Sequence, residues 1–220
     1  RHRDLTLLHE MSHQNNSKMK KAILITMMIA ITLCASAQNA AQARKILDKT
    51  SAVIAGKGGA SANFKISGNK TGTATGTIAM KGNKFHARTA KAIVWYNGKT
   101  QWSYLKSTNE VNVTTPTEAQ RMQMNPYAFI SMYKSGYTLG MTQKGNNYTV
   151  HMKAQNAARS VQEVYLTIDK KSYKPNTIKM REGQQWTTIT IMNFKTQHIA
   201  DNTFTFNAKE FPTAEVIDLR

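Results

Sequence analysis

The spacing of apolar residues changes its period along this chain. Between Asn39 and Gly56 the apolar positions Ala43, Ile46, Leu47, Val53 and Ile54 recur at steps of three, four and seven, which places them on one face of a helix. Asn39 is suited to cap its start, and Gly56, with Gly58-Gly59 behind it, to end it, so a helix is expected over about 40–55. From Ala60 the period becomes two. Ala62, Phe64 and Ile66 alternate with polar neighbours, as on a half-buried strand. Further strands are expected at Thr73–Met80, Lys84–Thr89, Ala92–Tyr96, Gln101–Leu105 and Glu110–Thr114, separated by Gly-Asn, Asn-Gly and similar turns. Asn97-Gly98 is the strongest hairpin signal among them.

A helical interlude then interrupts the alternation. Thr115-Pro116-Thr117-Glu118 reads as a capping box with proline at the first helical position, and Asn125-Pro126 ends one short helix and opens another that runs to about Tyr133. Strands resume at Tyr137–Gln143, Tyr148–Ala154, Val161–Asp169, Thr177–Arg181, Trp186–Phe194 and Asn202–Phe206. Roughly eleven or twelve strands joined mostly by short turns predict an antiparallel meander in one domain. The predicted class is mainly β (α+β): one curved, unclosed sheet of about 11 strands, an N-terminal helix and a short helical lid.

Ahead of this pattern, Met19-Lys20-Lys21 opens a run of about a dozen apolar residues that ends in Ala35-Ser36-Ala37. A basic start, a short apolar core and an A-x-A site make a secretory signal peptide. The run falls short of the ~20 residues a membrane-spanning helix needs. Residues 19–37 are therefore expected to be removed, with cleavage after Ala37. Residues 1–18 carry no helix or strand pattern and read as an over-extended start, leaving 38–220 as the single folded domain.

Charge and chemistry follow from that division. The whole chain holds 30 Lys+Arg against 12 Asp+Glu, a net +18, and residues 38–220 retain +15 of it. Such an excess attracts anionic partners. Export disfavours nucleic acid and leaves an anionic membrane face, or an envelope lipid or polysaccharide, as the counterpart. The lone cysteine, Cys34, lies inside the signal, so neither a disulfide scaffold nor paired-cysteine zinc is available. His86, His151 and His198 stand at no metal-ligand spacing and beside no nucleophile motif, and the acids are scattered. No catalytic residue, metal site or cofactor is expected. The methionines and aromatics of the interlude suit a soft apolar binding surface.

These residues resemble a known family, the LolA-type periplasmic lipoprotein carriers. Gly76-Thr77-Ile78-Ala79-Met80-Lys81 is similar to the family's early strand. Asn97-Gly98-Lys99-Thr100-Gln101-Trp102-Ser103-Tyr104 is similar to its G-x-x-x-W-x-Y hairpin, with Glu110-Val111-Asn112-Val113 at the family's distance. Asn125-Pro126-Tyr127-Ala128-Phe129-Ile130 resembles the helical insert, and Leu166–Phe206 the C-terminal strands. The resemblance implies an unclosed barrel with a helical lid over an apolar cavity. It also implies a carrier, without catalysis of its own, that takes lipoproteins from an inner-membrane ABC-type releaser, shields their acyl chains and passes them to an outer-membrane acceptor. The candidate cavity and lid residues are Phe64, Ile78, Phe85, Trp95, Trp102, Met122, Phe129, Met132, Ile189 and Ile191. The family's Arg-Pro pair after the early strand is replaced here by Lys81-Gly82, so Lys81 or Arg88 is the candidate lid latch, and the family's C-terminal extension is reduced to Phe211–Arg220. A monomer is expected. The alternative reading is a secreted, basic, β-rich protein that recognises an anionic envelope lipid or polysaccharide.

Overall fold

The alternating stretches pair into one twelve-stranded sheet. The computed structural model describes residues 37–68, 72–117 and 132–220. Helix α1 covers residues 37–54. The first run of strands is β1 (Ala60–Gly68), β2 (Gly72–Lys81), β3 (Lys84–Thr89), β4 (Ala92–Tyr96), β5 (Gln101–Leu105) and β6 (Glu110–Thr114). The second is β7 (Tyr137–Lys144), β8 (Asn147–Ala154), β9 (Val161–Asp169), β10 (Pro175–Glu182) and β11 (Gln185–Thr196), followed by β12 (Glu215–Asp218).

The order across the sheet is β12-β6-β5-β4-β3-β2-β1-β11-β10-β9-β8-β7. Two antiparallel meanders are thus joined by pairing between β1 and β11. The two ends, β12 and β7, do not meet, so the sheet is unclosed.

Two expectations need correction. Asn202–Phe206 is not a strand; Asp201–Phe204 forms a 3-10 turn. The twelfth strand lies further on at β12 and runs parallel to β6, which ends the antiparallel pattern at that edge. The alternation of Phe204 and Phe206 that suggests a strand instead serves a tail lying across the sheet. The second correction concerns Asn39, which stands inside α1 rather than capping it. Its side-chain Nδ2 donates to the Met141 carbonyl at 2.9 Å, and its Oδ1 accepts from the Met141 N–H at 2.6 Å. One asparagine so satisfies a backbone pair on the outer edge of β7, an edge that would otherwise invite another strand.

Register decides which residues share a face. Met80 pairs with Phe85, Ile78 with Ala87 and Ala62 with Ile78, and these form one side. On the same side β8–β11 contribute Val150, Met152, Val164, Leu166, Ile168, Ile178, Ile189 and Ile191, all buried. Helix α1 packs onto this concave face with Ala43, Ile46, Leu47 and Ile54, which are 0–6% exposed. Each large apolar side chain taken out of water there contributes about 1.5–3 kcal/mol. Phe64 pairs with Gly76, whose missing side chain makes room for the Phe64 ring; a Cβ would come within 2.5 Å of that ring and 2.3 Å of the Arg88 carbonyl.

Candidate functional site

The concave face gathers the buried apolar cluster shared by the strands and α1. Six of the predicted cavity residues lie in its core: Phe64, Ile78, Phe85, Met132, Ile189 and Ile191. They come from β1, β2, β3, β11 and the end of the interlude, so only the tertiary pairing brings them together. Met122 and Phe129, with most of the predicted lid, lie outside the described residues, as do the expected signal segment up to residue 36 and residues 1–18.

Trp95 and Trp102 require a correction. They pair with each other across β4 and β5 and project from the convex face, opposite to Phe85 and Tyr96. The period-two rule makes this inevitable once Tyr96 points inward, because its neighbour must point out. Trp95 is still buried, at 6% exposure, because the C-terminal segment lies over it. Its ring meets Phe206 at 5.4 Å and Phe211 at 5.5 Å, both edge-on, and stacks on His86 at 5.4 Å. Tyr104 adds a contact to Phe211 at 4.8 Å. Ile93, Val111, Val113, Ile199 and Phe204 are buried outside the concave cluster, a second apolar layer between sheet and tail.

The candidate latch residues also belong to the convex side. Lys81 Nζ donates to the Ile199 carbonyl at 3.1 Å and lies 3.3 Å from Asp201, while Lys84 pairs with the same carboxylate at 3.0 Å. These two ammonium groups hold the Asp201 carboxyl below the usual carboxylate range. Lys81 therefore fastens the tail, not a structure on the concave side. Arg88 faces a groove of about 460 Å³ between sheet and tail, which it lines with His86, Trp95, Asn202, Phe206 and Glu210. His86 is kept neutral there: burial pushes its imidazole pKa down, the nearby Arg88 adds to this, and Glu210 opposes it. Its Nε2 is buried and has no hydrogen-bond partner among the described residues.

On the concave side the polar tethers are different, and periodicity does not reveal them. The Tyr133 hydroxyl donates a short hydrogen bond to Asp48 of α1. Arg44 of the same helix sits over the Tyr133 ring at 5.7 Å. Burial and the Asp48 carboxylate push the Tyr133 phenol up to about 12. Lys49 Nζ donates to the Tyr173 hydroxyl at 3.0 Å. Together with Asn39 on Met141, these contacts fix α1 over the apolar face at three separate places. The only sequence signal for them is polar residues on the helix flank, which by default reads as a solvated face.

Among the described residues no group of three His, Cys, Asp or Glu side chains lies close enough to hold a metal. No described helix is long and apolar enough to cross a membrane.

Comparisons with known proteins bear on the architecture. An uncharacterized conserved protein from Thermus thermophilus superposes with a TM-score of 0.56 at 14% identity, over 80% of this chain and 99% of that one. A LolA superfamily protein from Nitrosomonas europaea aligns at 10% identity and a TM-score of 0.42, over 74% of this chain and 97% of that one. LprF from Mycobacterium bovis aligns at 12% identity and a TM-score of 0.42, over 72% and 95%. No curated protein matches the chain by sequence. The family model described as outer membrane lipoprotein carrier protein LolA matches residues 33–184, most of the chain, from just before α1 through the turn after β10. With that match over α1 and the first ten strands of the unclosed sheet, the chain belongs to the LolA family of outer membrane lipoprotein carrier proteins.

Proposed function

We propose that this protein is a periplasmic carrier that shields the acyl chains of lipoproteins on its concave face and moves them from the inner to the outer membrane. The observation that carries the reading is the continuous apolar surface of Phe64, Ile78, Phe85, Ile189 and Ile191, roofed by a helix rather than by the sheet itself. Burying acyl chains is favourable by about 0.8 kcal/mol per CH₂. A roof fastened by a few hydrogen bonds can separate from that face without unfolding the sheet. Its removal would exchange the apolar side chains of α1 for an acyl chain of similar character.

Export through the 19–37 segment, a monomeric state, an ABC-type donor and an outer-membrane acceptor complete the proposal. No catalytic step is part of it. Met122, Phe129 and Met132 are assigned to the acyl-binding surface together with the strand residues.

The test uses a polarity-sensitive apolar dye bound to the protein, titrated with a triacylated lipopeptide and with the same peptide lacking acyl chains. Displacement by the acylated form alone is expected. Displacement by neither rejects an acyl-binding site.

A second reading has one observation in its favour. Among the described residues no segment lies over the convex face of β8–β11, which carries cations and aromatics together: Lys179 and Arg181 lie over Trp186 at 4.7 and 5.9 Å. On that reading the protein recognises an anionic envelope lipid or polysaccharide. Salt-sensitive binding of such a polymer, with no dye displacement by the lipopeptide, would replace the first reading with the second.

A further inference from the structure

A slot of about 220 Å³ opens between α1 and the β7–β8 end of the sheet. Its apolar side is Ile46 and Met141, and its far wall is Tyr148 and Tyr173, whose rings stack at 6.3 Å. Lys45 and Lys49 stand at its rim, and Lys170 lies over the Tyr148 ring at 5.4 Å.

No carboxylate pairs with the lysines of this slot among the described residues. None lines the slot itself. The two acids nearest in sequence are engaged elsewhere: Asp48 accepts from Tyr133, and Asp169 accepts from the Lys171 and Ser172 backbone N–H groups and the Ser172 hydroxyl. Among the described residues no ion pair includes Lys45, Lys49 or Lys170. The partner of Lys49 is a neutral phenol, Tyr173, with its ammonium also 4.6 Å from the centre of that ring. Ammonium groups gathered on an apolar and aromatic slot that no carboxylate lines favour an anion carrying an apolar chain.

Size and connection narrow the ligand further. Pockets that enclose a whole small ligand measure about 300–1,000 Å³, and this slot is smaller. It fits a headgroup and the first part of a chain. Ile46 belongs at once to the slot and to the concave core, and Met141, Tyr148 and Tyr173 pack against that core. A chain entering here therefore leads to the face assigned to acyl groups.

We propose that the slot between α1 and β7–β8 is a headgroup site, in which Lys45 and Lys49 hold the phosphate or carboxylate of an anionic acyl amphiphile. The inference rests on the acyl-carrier reading above and adds the class of headgroup and its place of entry.

The test compares three probes sharing one tail, dodecyl phosphate, dodecanoate and dodecyl maltoside, each below its micellar concentration and at low salt. Binding is measured by dye displacement on the full chain and on a Lys45→Gln variant, which leaves the Lys49–Tyr173 tether of α1 in place and whose fold is checked by circular dichroism. A charge-assisted hydrogen bond corresponds to a preference of about tenfold or more for the anionic probes over the maltoside. That preference is expected in the unsubstituted protein. In the variant it is expected to fall to about threefold or less while dodecyl maltoside binding stays unchanged, as is the case when only the headgroup contact is lost. A preference that persists in the variant would place the anion elsewhere on the basic surface and overturn the assignment. So would equal weakening of all three probes, which marks a structural effect. Binding of all three without preference would reject the headgroup site and leave the carrier reading standing, whereas binding of none would reject both.

Discussion

The convex face of this sheet consists of two halves that meet water in opposite ways. Across β4–β6 the outward positions are Ile93, Trp95, Trp102, Tyr104, Val111 and Val113. Across β8–β11 they are His151, Glu163, Tyr165, Lys179, Arg181 and Trp186. The first half turns its large apolar side chains outward and requires a cover there, which residues 197–220 supply. The second half is apolar on one face and needs none. Its aromatic rings meet polar side chains instead: His151 stacks on Tyr165 at 4.3 Å, Lys179 lies over Trp186 at 4.7 Å, and Arg181 pairs with Glu163 at 3.2 Å. Among the described residues the convex side of one sheet is thus covered at one end and open at the other. The outward residues alone decide which.

Removing part of the cover should have the largest effect. Phe204 is fully buried against the covered half, so Phe204→Ala is expected to cost about 3–5 kcal/mol in urea denaturation. A loss under about 1 kcal/mol would mean that the tail lies loosely and that the contrast between halves is false.

Acidification should act on the same half. His86 has a folded-state pKa below its ordinary 6.5, so the unfolded chain takes up the proton more readily. Its neutral form stabilises the fold above about pH 6.5, and that contribution is lost as pH falls through the window beneath it. Stability measured from about pH 8 to about pH 5 is expected to decline more steeply in the unsubstituted protein than in His86→Phe. Parallel declines would assign the pH response to other groups.

Loosening the fastening of the tail should do less. Lys81→Met removes the bond to Ile199 and the pairing with Asp201 and is expected to lower stability by about 1 kcal/mol. Amide exchange should rise in β12 and just beyond it, where the Glu215 and Leu219 N–H groups bond to Asn109 and Val113. Unchanged exchange there would show that β12 is held independently of Lys81.

The smallest effect belongs to the bare half. Trp186→Ala removes contacts with Tyr165, Lys179 and Arg181 on an uncovered surface and is expected to cost about 1 kcal/mol or less. A cost comparable to that of Phe204→Ala would erase the distinction.

Much of this architecture is legible in the residues. Period-two alternation, the Asn97-Gly98 turn and the helical spacing of Ala43, Ile46, Leu47 and Ile54 are local properties, and the first eleven strands and the helix follow them. The tail defeats that logic because alternating aromatics suit a strand and a strap equally well. Phe204 and Phe206 differ from a strand only in what they rest on. Trp95 and Trp102 escape it for a related reason. In β4 both neighbours Trp95 and Tyr96 are buried, so alternation by itself cannot orient either.

What the sequence alone determined was the inventory: a helix with one apolar face, a long series of strands, a strongly basic composition and a likeness to lipoprotein carriers. Only the tertiary structure decided which side each strand shows to the helix, that β1 pairs with β11, that Lys81 fastens the tail and that Asp48 and Lys49 reach tyrosines 85 and 124 residues away. The physical reason is that periodicity records whether a residue is buried, a short-range property of the chain. What it is buried against depends on pairings between residues far apart in sequence, which no local pattern contains.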